Sequence, residues 1–474
     1  MSVPPANILI FISDQLARRA VGCYGDRYAR TPNIDGLAAD GVRFDRAYTP
    51  FALCCPARAS FWTGKLPHAT GVVSNGREYP IVPVTEDVPT VGAVFREAGY
   101  ETVHFGKKHD AGTLRGFDCA EEGELPVEGS EAWPVDYDSR RDAFTTERCV
   151  EYLQGRSGRA GKPFLMVADL QNPHDICNWI GAFKGPHEDV APPGELPELP
   201  SNFEVTDWEN RPRPVQYLCC SHRRLSQAAQ WSESNYRHYL AAYYHYLERV
   251  DTQIGRIMEA LRASGAAENT LVLFFSDHGD SITSHRMVTK QVSFYEETTR
   301  VPFIASGPGV EGAGRVEQPL VSLVDLFPTL CDYAGVEAPE GLHGRSLVPW
   351  LRGEEPAAWR EFVPSEWVTE WGYTVAPGRM IRTDRYKYTR YLEEDGEELF
   401  DLQADPGETR TLARDPAYAE ELARHRELLE AHIEATGDNF RDLEVKADAR
   451  WRSHAPGFTN HHGPSAPDAG GVGG

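Results

Sequence analysis

The chain has 474 residues, with 48 basic against 71 acidic side chains and a formal net charge of −23. Against domains of roughly 100–200 residues, that length implies about two or three domains with room for a large core. The acidic balance argues against a nucleic-acid partner, which needs a basic surface. A composition of 41 % hydrophobic and 25 % charged residues excludes global disorder.

Asn7-Ile-Leu-Ile-Phe-Ile12 is a short apolar run without a basic flank. It reads as a buried first strand rather than a signal peptide. No stretch approaches the roughly 18 apolar residues of a membrane span, so a cytoplasmic protein with no membrane partner is expected. Nine cysteines, including the adjacent pairs Cys54-Cys55 and Cys219-Cys220, do not resemble a secreted disulfide framework.

Thr31-Pro32 predicts a helix start, with Thr31 as N-cap and Pro32 at the first helical position. Residues 88–98 read as a helix, and 101–105 and 164–170 as strands. The spacing of Leu240, Tyr243, Leu247, Val250, Ile254, Ile257 and Leu261 predicts a helix over 235–264. Leu271–Phe275 is the next strand. This alternation implies a mostly parallel sheet sandwiched by helices. Ligands bind such sheets at the carboxyl ends of the strands, where Asp14, Lys107, His174 and Asp277 all fall. The proline-rich stretch 186–215 reads as a surface loop shaping a binding site. Beyond Pro356 the pattern changes to short strands within 373–391 and 398–402 and a charged helix over 416–435. The expected division is therefore a catalytic α/β domain at 1–352, a smaller α+β domain of antiparallel strands and a helix at 353–437, and a polar tail at 438–474.

The sharpest local feature is Cys54-Cys55-Pro56-Ala57-Arg58 followed by Thr63-Gly64. From composition alone, Cys-x-Pro-x-Arg arises by chance in roughly 6 % of such chains, and the added Thr-Gly makes it far rarer. The string resembles the signature of the formylglycine-dependent (type I) sulfatases, of the alkaline-phosphatase-like superfamily. Supporting strings are Asp14-Gln15, Thr31-Pro-Asn-Ile-Asp35, Gly106-Lys107-Lys108-His109, Asn172-Pro173-His174, Asp277-His278-Gly279, Lys290 ahead of Arg300-Val301-Pro302-Phe303, and Leu399-Phe400-Asp401-Leu402 with Asp405-Pro-Gly-Glu408. Asp-Gln and Asp-His, in place of the commoner Asp-Asp and Asp-Asn, resemble a branch that includes choline sulfatases and phosphonate monoester hydrolases.

The resemblance implies that Cys54 is converted to formylglycine by the formylglycine-generating enzyme. The hydrated aldehyde would then attack the sulfur of an organic sulfate, with a carbohydrate O-sulfate favoured. It implies one divalent cation held by Asp14, Gln15, residue 54, Asp277 and His278. Calcium is the first expectation, and the reduced carboxylate count leaves manganese or magnesium open. Lys107 and Lys290 would neutralise the sulfate oxygens, and His174 would protonate the leaving group. His109 would deprotonate the second hydroxyl, Arg58 would hold the diol, and Asp277 could take the first proton. Trp179 is placed with Lys107, His174 and Lys290 in the substrate pocket, although a core aromatic is its blander reading. His285, Trp371 and Trp208 carry the same two readings, and the tyrosines from Tyr236 to Tyr246 read as helix packing. Read singly, Asp14 and Asp277 could cap helices, and Lys107, His109 and Lys290 could be solvated.

Two rivals stand beside this reading. One is a phosphonate monoester or phosphodiester hydrolase of the same superfamily. The other is an unmodified, non-catalytic anion-binding protein. A homo-oligomer is left open.

Overall fold

The computed structural model describes residues 6–76, 81–125, 137–156, 161–182, 195–204, 207, 210–212, 214–215, 228, 231–290, 294–368, 376–392 and 396–443. Its centre is an eight-stranded sheet. The strands are β1 (Asn7–Asp14), β2 (Val42–Tyr48), β3 (Glu101–Gly106), β4 (Asp118–Cys119), β5 (Phe164–Pro173), β6 (Thr270–Ser276), β7 (Arg300–Ser306) and β8 (Arg315–Ser322), in the order β4-β3-β5-β1-β6-β7-β2-β8. β1 lies parallel between β5 and β6, whereas β7 runs antiparallel to both β6 and β2.

The unbroken apolar run of β1 reflects burial on both faces. Leu9 and Phe11 pack on one face against Tyr243, Leu247 and Val250 of the long helix Glu233–Ala263. Ile8, Ile10 and Ile12 pack on the other against Phe61, Trp62, Phe95 and Phe327. Such two-sided burial is why a central parallel strand loses polar alternation. The long helix opens on a capping box in which Ser232 and Asn235 exchange side-chain and backbone bonds.

A second, antiparallel sheet has the order β12-β11-β10-β9, from β9 (Val363–Trp367), β10 (Gly378–Arg382), β11 (Tyr386–Tyr391) and β12 (Glu397–Asp401). Alternation along β10 sorts its two faces. Ile381 packs with Leu422, Leu429 and Ile433 of the helix Ala419–Thr436. Met380 packs with Phe51, Leu53 and Trp367, the first two lying just ahead of Cys54. Glu366 N also donates to Pro50 O at 2.8 Å. The small sheet thus braces the segment that delivers residue 54.

Several sequence expectations change. Thr31 caps no helical N–H with its side chain. Its hydroxyl accepts from Gly22 N at 2.9 Å and lies 3.1 Å from Asp35 Oδ1, tying down the preceding loop. The helix expected over 88–98 begins at Val91, where Thr90 is the capping residue. The strands expected within 373–391 are Gly378–Arg382 and Tyr386–Tyr391, with residues 373–375 outside the described residues. Residues 195–204 carry no helix or strand; residues 183–194, Trp208, Trp371, Cys219, Cys220 and the tail from 444 lie outside the described residues. Among the described residues, no helix is long and apolar enough to cross a membrane.

Candidate active site

Four strand ends converge. β1 ends in Asp14, β3 runs into Lys107, β5 ends just before His174, and β6 is followed by Asp277 and His278. At the end of β3, Gly106 has φ +104°, and a Cβ there would lie 2.0 Å from Asp169 O. Only glycine lets the chain turn so closely across β5 and aim Lys107 inward.

Cys54 opens the helix Cys54–Thr63 from an extended Leu53, beneath these strand ends. One metal-ligating atom each from Asp14, Cys54, Asp277 and His278 lies within 4.8 Å of the others, and all four residues are buried. Cys54 Sγ sits 3.2 Å from His278 Nε2, 2.9 Å from Lys290 Nζ and 3.8 Å from Asp14 Oδ1. His278 Nδ1 lies 2.9 Å from Gly279 O, so the ring donates there and keeps the Nε2 lone pair for a cation.

Positive charge is packed around these acids. Lys107 Nζ bonds Asp14 Oδ2. Arg58 Nε donates to Asp277 Oδ2 at 3.0 Å and Nη1 to Asp169 Oδ2 at 2.6 Å. Among the described residues, the buried Arg58 Nη2 makes no hydrogen bond, and it lies 3.5 Å from Asp14 Oδ2 as an ion pair. Burial pushes the Asp14 carboxyl up, but Lys107 and then Lys290 hold it well below the usual carboxylate range. Burial and the like charge of Asp14 raise Asp277 against His278 and Arg58. Burial and Asp14 also act to raise the Cys54 thiol, but Lys107, Lys290 and His278 bring it well below its ordinary value. A negative atom on residue 54 is therefore favoured here.

Gln15 follows with φ +65°. Its Nε2 donates to Asp280 Oδ2 at 2.7 Å, and its Oε1 faces Cys177 Sγ at 3.4 Å. Its backbone carbonyl accepts from Tyr243 OH at 2.6 Å, so each of its two oxygens already accepts one bond. Two carboxylates, an imidazole with a fixed tautomer and the side chain of residue 54 suit one divalent cation.

Above the cluster lies a cavity of about 400 Å³ lined by Cys54, Lys107, His109, His174 and Lys290. Its outer wall includes Lys108, Arg141, Phe144 and Arg148. The last three come from one face of the helix Tyr137–Gly155.

Trp179 is not in that wall. The expectation that it contacts substrate is corrected: it is fully buried against Trp231 and Tyr239, because the long helix supplies an aromatic layer that takes it into the core. His285 is likewise buried, 2.9 Å from Gly407 O and packed at a tilt against Tyr295.

Other residues that build the site escaped the sequence reading. Tyr239 OH bonds Asp280 Oδ1 at 2.8 Å, so the tyrosines of the long helix hold both metal-side loops rather than merely packing. Asp169 Oδ2 takes both Arg58 Nη1 and His104 Nε2, the latter at 3.2 Å. A lone acid inside the apolar run Phe164–Leu170 was the available signal for it.

A buried cluster of two carboxylates, an imidazole and a cysteine able to hold a divalent cation, at the carboxyl edge of an α/β sheet, defines an ester hydrolase of the alkaline-phosphatase-like kind. The chain belongs to the sulfatase family: the Sulfatase profile matches residues 6–336, and the N-sulphoglucosamine sulphohydrolase C-terminal profile matches residues 284–435. It is a sulfuric-ester hydrolase of that family. A Delta 4,5-hexuronate-2-O-sulfatase of Bacteroides thetaiotaomicron is 49 % identical over 462 residues, covering 97 % of this chain and 95 % of the relative. The solved structure of a 2-O GAG sulfatase superposes with a TM-score of 0.91 at 48 % identity, covering 98 % of this chain and 99 % of the other. A phosphonate monoester hydrolase of Agrobacterium radiobacter shares the fold, with a TM-score of 0.72 at 24 % identity and coverage of 92 % and 99 %.

Proposed function

We propose that the enzyme removes a 2-O-sulfate from an acidic saccharide, with an unsaturated hexuronate as the sulfated unit. The observation that carries the reaction is the buried Asp14–Cys54–Asp277–His278 cluster flanked by Lys107 and Lys290. The near-full-length similarity to a hexuronate 2-O-sulfatase supports the sugar. The cations Lys108, Arg141 and Arg148 beside the Phe144 ring suit an anionic pyranose.

The formylglycine that the modifying enzyme makes from Cys54 supplies, as its hydrate, the oxygen nucleophile that an unmodified thiol replaces badly. Asp14, Gln15, Asp277 and His278 hold one cation, proposed as calcium because oxygen donors outnumber the single imidazole nitrogen; it supplies Lewis-acid charge to the sulfate. Lys107 and Lys290 bind the sulfate oxygens and lower their repulsion of the nucleophile. Arg58, held by Asp277 and Asp169, sets its Nη2 beside Asp14 and offsets the charge of the diol. His174 gives its proton to the leaving oxygen, and His109 takes the proton that lets sulfate depart.

Sulfate release from an unsaturated 2-O-sulfated disaccharide tests this reading against its 6-O-sulfated isomer and phenyl phosphonate esters. The 2-O-sulfate is expected to react fastest. Faster phosphonate cleavage would move the enzyme to the phosphonate monoester hydrolases, and no turnover of any ester by converted protein would leave only anion binding.

The acid role has a pH signature. Burial first, and the Lys290 ammonium second, push His174 well below the ordinary histidine value; Lys107 adds to this and Asp14 and Cys54 offset part of it. A proton donor must be protonated, so kcat/KM is expected to fall as pH rises through that lowered pKa. The bound sulfate anion favours the charged ring, so the falling limb of kcat is expected at higher pH than that of kcat/KM. A falling limb that persists unchanged in His174→Ala counts against the assignment.

A further inference from the structure

His174 sits on the turn that leaves β5, and that turn is fastened by side chains from the start of the helix Tyr137–Gly155. The buried Asp142 carboxyl group spans two successive backbone donors: Oδ1 accepts from Gln171 N at 2.6 Å and Oδ2 from Asn172 N at 3.1 Å. One helical turn earlier, Ser139 donates through its N and Oγ to Asp175 Oδ2, at 3.0 and 3.1 Å. The Asn172 side chain closes the loop, with Nδ2 2.8 Å from Ser139 Oγ and Oδ1 accepting from Asp175 N at 3.0 Å. Ser13 Oγ, next to Asp14, bonds Asn172 O at 2.7 Å.

The register explains why so much polar chemistry is buried here. The β1–β5 pairing is regular up to Ser13↔Leu170 and then shifts, so that Asp14 faces Pro173. The N–H groups of Gln171 and Asn172 bond Asp142 at this shift, and buried donors left without acceptors would be costly. An apolar residue at 142 could fill the volume but not accept those bonds.

We propose that Asp142, assisted by Ser139 and Asp175, is a positioning residue that fixes the His174 turn so that the imidazole meets the leaving-group oxygen. The proposal rests on the reading of His174 as proton donor given above. It carries a consequence for substrate range: turnover of esters of weakly acidic alcohols depends on Asp142, whereas turnover of esters of acidic phenols does not. An alkoxide needs the proton as the S–O bond breaks, but 4-nitrophenoxide departs without it.

The test compares His174→Ala, Asp142→Asn and Ser139→Ala on 4-nitrophenyl sulfate and on a 2-O-sulfated saccharide. Asparagine presents an amide N–H to one of the two backbone donors, so it breaks the clasp at nearly constant volume. His174→Ala is expected to lose about 10²–10⁴-fold in kcat on the saccharide and far less on the aryl ester. Asp142→Asn is expected to follow with roughly 10–100-fold on the saccharide against less than about threefold on the aryl ester, carried by kcat rather than KM. Ser139→Ala is expected to move the same way by a smaller factor, and it decides the matter if Asp142→Asn does not fold. Amide hydrogen exchange at Gln171 and Asn172 is expected to speed up in Asp142→Asn whether or not Cys54 is converted. Equal losses on both esters in the Asp142 and Ser139 variants, while His174→Ala shows the bias, overturn the positioning role and leave the acid assignment standing. If His174→Ala shows no bias, the acid assignment fails and the proposal with it.

Discussion

Cys54→Ala is expected to lower sulfate-ester turnover by at least about 10⁴-fold, the scale on which removing a nucleophile acts. The side chain of residue 54 is where Asp14, His278 and Lys290 meet, and alanine offers no oxygen to any of them. Cys55 provides the control. Its backbone N bonds Asn75 Oδ1, and its side chain packs with Ala59, Val72 and Val84 in a separate apolar cluster. Cys55→Ala is therefore expected to keep activity within about threefold, at a stability cost of roughly 1 kcal/mol for the lost buried atoms. Intact mass supplies the chemical check. Conversion of cysteine to formylglycine removes about 18 Da, on the chemistry used to place cysteine oxidation states. The loss is expected in the wild type and in Cys55→Ala, and not in Cys54→Ala. If Cys54→Ala turned over substrate at the wild-type rate, the nucleophile would lie elsewhere.

What the sequence disclosed about this site depended on how local each signal was. The strands β1 and β6 are uninterrupted apolar runs because both faces are covered, and each ends abruptly at an acid, so both strand and ligand could be read directly. The Cys54–Gly64 string is compact for a similar reason: one helix carries both residue 54 and the Arg58 that reaches Asp277. By contrast, β2 reads Val-Arg-Phe-Asp-Arg-Ala-Tyr, with no apolar run, and pairs through a register irregularity with β7 and β8. The supporting acids were hidden by distance along the chain. Asp169 meets Arg58 across 111 residues and Asp280 meets Gln15 across 265. Trp179 misled because an aromatic beside a site motif looks the same whether it faces a cavity or, as here, Trp231 and Tyr239. Spacing encodes which residues share a helix turn. It does not encode which loops a tertiary fold brings together.

Asp277→Asn separates a metal ligand from a mere structural anchor. Asp277 accepts from Arg58 Nε, from Gln15 N at 3.1 Å and from His278 N at 2.9 Å, while belonging to the cluster with Asp14 and His278. Asparagine removes one of the buried negative charges that face Arg58, Lys107 and Lys290, so some loss of stability follows whatever the role of the site. Stability alone is thus uninformative, and the dependence on cation is the discriminating quantity. A cation that binds only the folded wild type raises its stability by about 2.7 kcal/mol at a hundredfold excess over Kd. That increment, read as a rise in Tm on adding calcium to chelator-treated protein, is expected to vanish in Asp277→Asn at the same concentration. Turnover is expected to fall by about 10²–10³-fold, as when a fixed electrostatic contact to the reacting oxygens is lost. Manganese and magnesium, added back in parallel to the wild type, identify the ion: calcium is expected to restore the most activity, because a flexible shell rich in oxygen donors suits it. A full cation-induced Tm rise in Asp277→Asn, or an unchanged metal content by elemental analysis, would place the ion away from this residue.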